Sequence, residues 1–107
     1  MIKVVIKTIE EEILNVRISG HAYSGEPGHD LVCAGVSSVV FGTLNSIEEV
    51  ETSFKITVNE GLVELTPLYQ PSNTNKIILK VLITSLKTIE ESYGKYIQVR
   101  EEREKKA

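Results

Sequence analysis

The sequence predicts an α+β fold in which an antiparallel sheet of four or five strands is covered on one face by two helices. Two observations predict it. Two pairs of segments carry apolar residues at every second position, which is the period of a half-buried strand. Each pair is followed by a segment with apolar residues every three or four positions, the period of an amphipathic helix. The element order is therefore ββαββα, and one last strand can follow.

The first strand pair lies at the N-terminus. Residues 2–9 are rich in Ile and Val, and residues 14–19 alternate between apolar and polar side chains. The segment between them, Glu10 to Glu12, is polar and short enough to close an antiparallel hairpin. We expect these glutamates to form a solvated turn.

The first helix is predicted after the long loop that follows this hairpin. Asp30 has a short acceptor side chain and directly precedes the helical pattern, so it is the expected N-cap. The predicted apolar stripe of the helix comprises Val32, Val36, Val39, Val40, Phe41, Leu44, Ile47 and Val50.

The second hairpin repeats the period-two pattern in residues 54–58 and 62–66. Glu60 and Gly61 are the expected turn between its strands, and Pro67 ends the second of them.

The second helix is predicted to begin at the capping cluster of residues 71–74 and to end at Gly94. Tyr96 to Arg100 can add a short edge strand, and residues 101–107, which are charged as far as Lys106, are expected to form a frayed tail. The apolar stripe of this helix comprises Ile78, Leu82, Leu86, Ile89 and Tyr93.

The composition indicates one domain that spans residues 1–107, with 41% hydrophobic residues. The sequence has no apolar run long enough to cross a membrane and no signal segment at its start, so we expect a soluble cytoplasmic protein. The formal net charge of -3 argues against a nucleic-acid partner. A single cysteine cannot form an internal disulfide, so Cys33 matters through its chemistry or its burial.

The loop between the first hairpin and the first helix carries nearly all the reactive side chains. Cys33 falls in the first turn of the helix, where unpaired amides and the helix dipole favour a thiolate and could also hold a developing oxyanion. The helix end contributes only about 0.3–1 kcal/mol, too little to ionise a thiol fully at neutral pH. A neighbouring imidazolium is therefore needed, and both His21 and His29 lie in the same loop.

Spacing alone leaves two questions open. His21 is favoured over His29 because it sits at a strand end, but either could be the partner of the cysteine. Cys33 itself could instead be a small buried hydrophobic residue, as single helical cysteines often are.

Other residues of the loop invite supporting roles. Asp30 can cap the helix or orient a histidine, and its charge should be hydrogen-bonded so that it does not oppose a thiolate. Ser37 lies one turn beyond Cys33, where it can line a pocket or bond its own i-4 carbonyl. Three loop glycines, Gly20, Gly25 and Gly28, permit unusual backbone angles over a substrate. No metal-ligand spacing or cofactor fingerprint is present, so we expect neither a metal nor a cofactor.

These residues resemble the motif of the ribosomal-processing cysteine proteases. The likeness rests on Gly20-His21-Ala22, Gly28, Asp30, Val32-Cys33-Ala34 and Ser37, and it extends to Phe41-Gly42, Asn45-Ser46-Ile47 and the second helix from Ser85-Leu86 to Glu90-Glu91.

This resemblance implies a cytoplasmic homodimeric protease that removes a short N-terminal extension from a large-subunit ribosomal protein. It assigns the nucleophile to Cys33 and the general acid and base to His21 rather than His29. Asp30 and Ser37 match motif positions in supporting roles, and the loop from Gly20 to Gly28 is implied to move over the site to admit a peptide with bulky apolar residues before the cut.

Two other functions compete with this one. The first is a non-catalytic ribosome-associated module that binds a basic ribosomal protein without cutting it. The second is a redox switch at Cys33, which the lack of a second, resolving cysteine makes less favourable.

Overall fold

A computed structural model describes residues 1–26 and 29–105, and at positions 50 and 51 it describes the backbone only. The chain alternates hairpins and helices in the predicted order. The elements are β1 (Ile2–Ile9), β2 (Glu12–Ser19), α1 (Leu31–Ser46), α2 (Val50–Ser53), β3 (Phe54–Asn59), β4 (Leu62–Pro67), α3 (Asn73–Tyr93) and β5 (Ile97–Glu104).

The five strands form one sheet in the order β3-β4-β2-β1-β5. The α+β class, the two hairpins and the last strand are therefore confirmed. The sheet is mixed rather than purely antiparallel, because β5 pairs parallel with β1, starting at Ile2 opposite Ile97. The reason is the length of α3, whose 21 residues span about 31 Å and return the chain to the end of the sheet where β1 also begins.

Both long helices cover the same face of the sheet. Every second residue of β1 is buried there, at Ile2, Val4 and Ile6. The helices bury their own apolar residues in the same cluster, which contains Val16, Ile18, Val32, Val36, Val40, Phe54, Leu65, Leu79, Leu82, Leu86 and Ile97. Within the described part of the chain, no helix is long and apolar enough to cross a membrane.

Two details of the helices differ from the predictions. α1 ends at Ser46, and Val50 belongs to the separate short helix α2. Phe41 is 45% exposed because a rotation of about 100° per residue turns it away from the buried Val40. The caps of α3 are as predicted: the Ser72 side chain accepts from the Asn75 amide at 3.1 Å, and Gly94 follows the last helical residue.

The predicted frayed tail is wrong for residues 101–104. Their main chain pairs with β1 from Ile6 to Ile9, and this pairing does not depend on apolar side chains. The Lys87 ammonium also lies 2.9 Å from a Glu101 carboxylate oxygen and ties the strand to α3. Residues 106 and 107 of the predicted tail lie outside the described residues.

The β1–β2 turn offers a test of backbone strain. Glu10 and Glu11 have φ angles of +47° and +68°, as a two-residue type I′ turn requires, but a side chain there costs about 1 kcal/mol. We expect Glu11→Gly to raise the free energy of unfolding by about 1 kcal/mol in urea denaturation. Glu11→Ala removes the charge but keeps Cβ, and so should show no such gain. An equal gain in both variants would mean that charge, not backbone strain, sets the effect.

Candidate active site

The candidate site lies where β2 ends and α1 begins. Cys33 is the third residue of α1 and is partly exposed, between the buried Val32 and Val36 on the core face and solvent. It is therefore accessible, which disfavours the alternative of a fully buried structural thiol.

Asp30 caps α1, as predicted. One carboxylate oxygen of Asp30, Oδ1, accepts from the main-chain N–H of Cys33 at 3.0 Å. The same carboxylate accepts from the Ser24 N–H at 3.0 Å, through Oδ2, and from the Ser24 hydroxyl. The Cys33 amide first, and then the Ser24 hydroxyl, hold the pKa of Asp30 well below its usual range. The carboxylate charge beside Cys33 is thus hydrogen-bonded, as the sequence analysis required.

This cap also corrects an expectation. The amides of the first helical turn are predicted to be unpaired and able to hold an oxyanion, and the Cys33 amide is one of them. It is instead engaged by Asp30. The main-chain donor that faces the sulfur comes from the loop, because the Ala22 N–H donates to Cys33 Sγ at 3.3 Å.

His21 is held beside the β3–β4 turn. The Gly20 N–H donates to the Gly61 carbonyl at 2.9 Å. A Cβ atom placed on Gly61 would lie only 3.1 Å from His21 Nε2, so the imidazole packs directly over this glycine. The ring of Tyr23 lies 5.8 Å from the imidazole between centroids. Within residues 1–26 and 29–105, no side chain hydrogen-bonds to the imidazole. These residues therefore supply no third side chain that orients the histidine, as the acid of a Cys-His-Asp triad would.

His21 and Cys33 line one pocket of about 170 Å³, and Ser37 lines it with them. Within the described protein, the Ser37 hydroxyl makes no hydrogen bond to its i-4 carbonyl and is exposed. His29 is not in this pocket, and its main-chain N–H donates to the Glu26 carbonyl at 2.8 Å. The rest of the lining is mostly apolar, with Ile2, Ile18, Val36, Val40, Phe41, Leu62 and Val63.

Two of the three loop glycines are required by close backbone approaches. Gly20 has φ of +89°, and a Cβ there would lie 2.3 Å from the Met1 carbonyl oxygen. A Cβ on Gly25 would lie 2.7 Å from the His29 carbonyl oxygen. The third, Gly28, lies outside the described residues.

Among the pocket-lining residues that the sequence did not predict as site residues are Phe41, Asn59 and Gly61. Phe41 had a usable signal, because Cys33, Ser37 and Phe41 are spaced by four and share a helix face. Asn59 and Gly61 had no local sequence signal, because they reach the pocket through the pairing of β4 with β2, in which Ser19 lies opposite Leu62.

Other features of the described residues do not compete with this site. A second and larger cavity, of about 670 Å³, lies at the other end of β1 between α3 and β5, and neither cysteine nor histidine is among the described residues that line it. No group of three His, Cys, Asp or Glu side chains in the described ranges is placed to hold a metal ion.

The packing of His21 over Gly61 leads to a prediction. Gly61 has φ of +69°, so Gly61→Ala should cost about 1 kcal/mol of stability, and its Cβ should displace the imidazole. We expect a loss of about tenfold in kcat/KM for peptide cleavage. Gly42→Ala is the control, because its Cβ would meet nothing within 4 Å and should stabilise α1 by up to about 1 kcal/mol at unchanged activity. Equal activity in the two variants would rule out positioning of His21 by this turn.

Known cysteine proteases are similar to this chain in sequence. A family model described as cysteine protease Prp matches residues 1–98. The ribosomal processing cysteine protease Prp of Staphylococcus aureus is 35% identical over 93 residues, which cover 84% of this chain and 88% of that protein. The protein of the same description from Bacillus subtilis is 33% identical over 108 residues, covering 92% and 96%.

A solved structure is also similar. It is the crystal structure of the essential ribosomal processing protease Prp from S. aureus in complex with a covalently linked product peptide. The TM-score is 0.88 at 34% sequence identity, and the match covers 95% of this chain and 100% of that one.

Proposed function

Because the chain belongs to the Prp family of cysteine proteases, we propose that it removes a short N-terminal extension from a large-subunit ribosomal protein. The relatives are described as ribosomal processing proteases, and the motif resemblance adds the extension. One observation carries the proposal for this chain. Its only cysteine and a histidine line the same pocket, and a main-chain donor faces the sulfur there.

In this proposal, Cys33 supplies the nucleophile. The first turn of α1 and the Ala22 N–H lie beside its sulfur, and His21 lines the same pocket as its partner. The thiolate attacks the carbonyl carbon of the residue that ends the extension. The Ala22 N–H, 3.3 Å from the sulfur, is close enough to stabilise the oxyanion that then forms.

His21 handles the protons in both half-reactions. As the tetrahedral intermediate collapses, His21 protonates the leaving amine, and the mature ribosomal protein departs with a free N-terminus. The extension remains as a thioester on Cys33. His21, now neutral, takes a proton from a water molecule, and the hydroxide releases the extension as a carboxylic acid.

The apolar lining of the pocket supports the kind of peptide proposed. Val36, Val40 and Phe41 from α1 face Leu62 and Val63 from β4 beside the cysteine. Such a wall favours a bulky apolar side chain next to the scissile bond. Ser37, with an exposed hydroxyl in the same pocket, is placed to bind the peptide main chain.

The proposal includes a cytoplasmic homodimer. Ribosomal proteins are processed where ribosomes assemble, which supports the compartment. α1 supports self-association, because none of its residues from Leu31 to Ser46 is charged and it exposes Leu31 outside the pocket. Light scattering of the purified protein gives the oligomeric state directly.

The function is tested by incubating the protein with the extended ribosomal protein of the same organism and measuring intact masses. We expect the substrate to lose one fixed N-terminal fragment and the mature form to keep its mass. Binding of the extended protein with no change in mass would replace the protease with the non-catalytic binding module.

A further inference from the structure

Ser24 lies outside the pocket but makes two hydrogen bonds that connect the loop after β2 to the start of α1. Its main-chain N–H donates to Asp30 Oδ2 at 3.0 Å, and its hydroxyl donates to Asp30 Oδ1. The hydroxyl bond joins two partly buried side chains six positions apart. A loop serine exposed to water would not need such a partner, so the contact calls for an explanation.

The carboxylate that Ser24 binds is also the cap of α1. Asp30 Oδ1 accepts from the Cys33 N–H at 3.0 Å, so the same oxygen holds the loop and the residue that carries the thiol. A second contact joins the same loop and helix, because the Ala22 N–H donates to the sulfur of Cys33. Ala22 and Ser24 are separated by one residue, and Cys33 and Asp30 by two. The loop and the helix start are therefore joined twice, once at the sulfur and once at the carboxylate.

We propose that Ser24 is a positioning residue that ties the segment carrying His21 and Ala22 to the start of the helix carrying Cys33. The proposal rests on the proposed function in one respect, that Cys33 is the nucleophile. The Ser24 hydroxyl acts through Asp30 and does not touch the substrate.

Loss of the Ser24 hydroxyl should destabilise the Cys33 thiolate in two ways. The Asp30 carboxylate loses a donor, so more of its negative charge opposes a thiolate at Cys33. The loop is held less firmly, so the Ala22 N–H spends less time on the sulfur. Both effects disfavour the thiolate. Among the described residues that line this pocket, the other ionisable side chain is His21, with the ring of Tyr23 beside it.

The test measures the reactivity of the thiol without any substrate. The rate of Cys33 alkylation by iodoacetamide is followed from pH 5 to 10 in the full-length wild type, Ser24→Ala and Ser24→Thr. We expect the midpoint of the profile to move up by about one pH unit in Ser24→Ala, a tenfold loss of thiolate near neutral pH. Ser24→Thr keeps the hydroxyl and should restore the wild-type profile. Ser38→Ala, at an exposed serine of α1 outside the pocket, is the matched control.

A second readout separates positioning from binding. For cleavage of an extension peptide, Ser24→Ala should lower kcat by about tenfold and change KM by less than threefold. Circular dichroism and thermal unfolding confirm that each variant is folded. Wild-type alkylation and kcat in folded Ser24→Ala would overturn the inference, as would a loss that Ser24→Thr does not restore. If the alkylation profile shifts as expected but the wild type cleaves no extension, the proposed function fails and the role of Ser24 stands.

Discussion

Cys33→Ala is expected to abolish processing, with a loss of at least about 10⁴-fold in kcat/KM for an extension peptide. The thiolate forms the covalent bond to the extension in the proposed mechanism, and the chain has no second cysteine to replace it. A fluorogenic peptide that spans the cut measures the loss. The reaction of the variant should be indistinguishable from the uncatalysed background.

Binding should survive this substitution. Cys33 contributes one small, partly exposed side chain to a pocket whose apolar walls come from α1 and β4. The Kd of the extension peptide for Cys33→Ala should therefore stay within about threefold of the wild-type value, a free-energy change below about 0.7 kcal/mol. Cleavage within tenfold of wild type would remove Cys33 from the mechanism and with it the proposed protease chemistry.

His21→Ala should lower kcat/KM by about 10²–10⁴-fold, because one imidazole serves both proton transfers. His29→Ala is the matched control. His29 belongs to the same loop but does not line the pocket. We therefore expect the activity of His29→Ala to stay within about twofold of wild type. The pH dependence of kcat/KM should lose one limb in His21→Ala and remain bell-shaped in His29→Ala.

The opposite pattern would reverse the assignment. If the pH profile is unchanged in His21→Ala but altered in His29→Ala, His29 is the general acid and base. The loop would then have to carry His29 into the pocket on substrate binding, a rearrangement that the Asp30 cap and the hydrogen bond from the His29 N–H to the Glu26 carbonyl oppose.

Much of the fold was predictable because the sheet has one buried face. The alternation in β1 and β2 sets which side chains face the core, and the capping residues Ser72 and Gly94 set the bounds of α3. The parallel pairing of β5 and its extension to Glu104 were not predictable. Both depend on the length of α3 and on main-chain pairing with β1. The charged side chains of residues 101–104 give no local sign of that pairing.

The site was predictable where it is local and hidden where it depends on tertiary contacts. Asp30 caps α1 three residues before Cys33, a spacing that sequence alone reveals. Spacing left the choice between His21 and His29 open, and the motif resemblance favoured His21. The packing of Gly61 against the imidazole depends on the β2–β4 register, which the sequence does not show. The sequence predicted Phe41 in the core because the residue is apolar, although its angular position around α1 turns it away from the buried face.

The central claim is that Cys33 attacks the carbonyl at the end of an N-terminal extension. The most direct measurement uses a peptide with the extension sequence that ends, at the cut, in a chloromethyl ketone. Attack by the Cys33 sulfur displaces chloride and leaves the peptide attached. We predict that intact mass rises by one peptide less HCl, that fragment mapping places it on Cys33, and that a scrambled peptide labels far more slowly. Attachment at another residue, or equal labelling by the scrambled peptide, would contradict the claim.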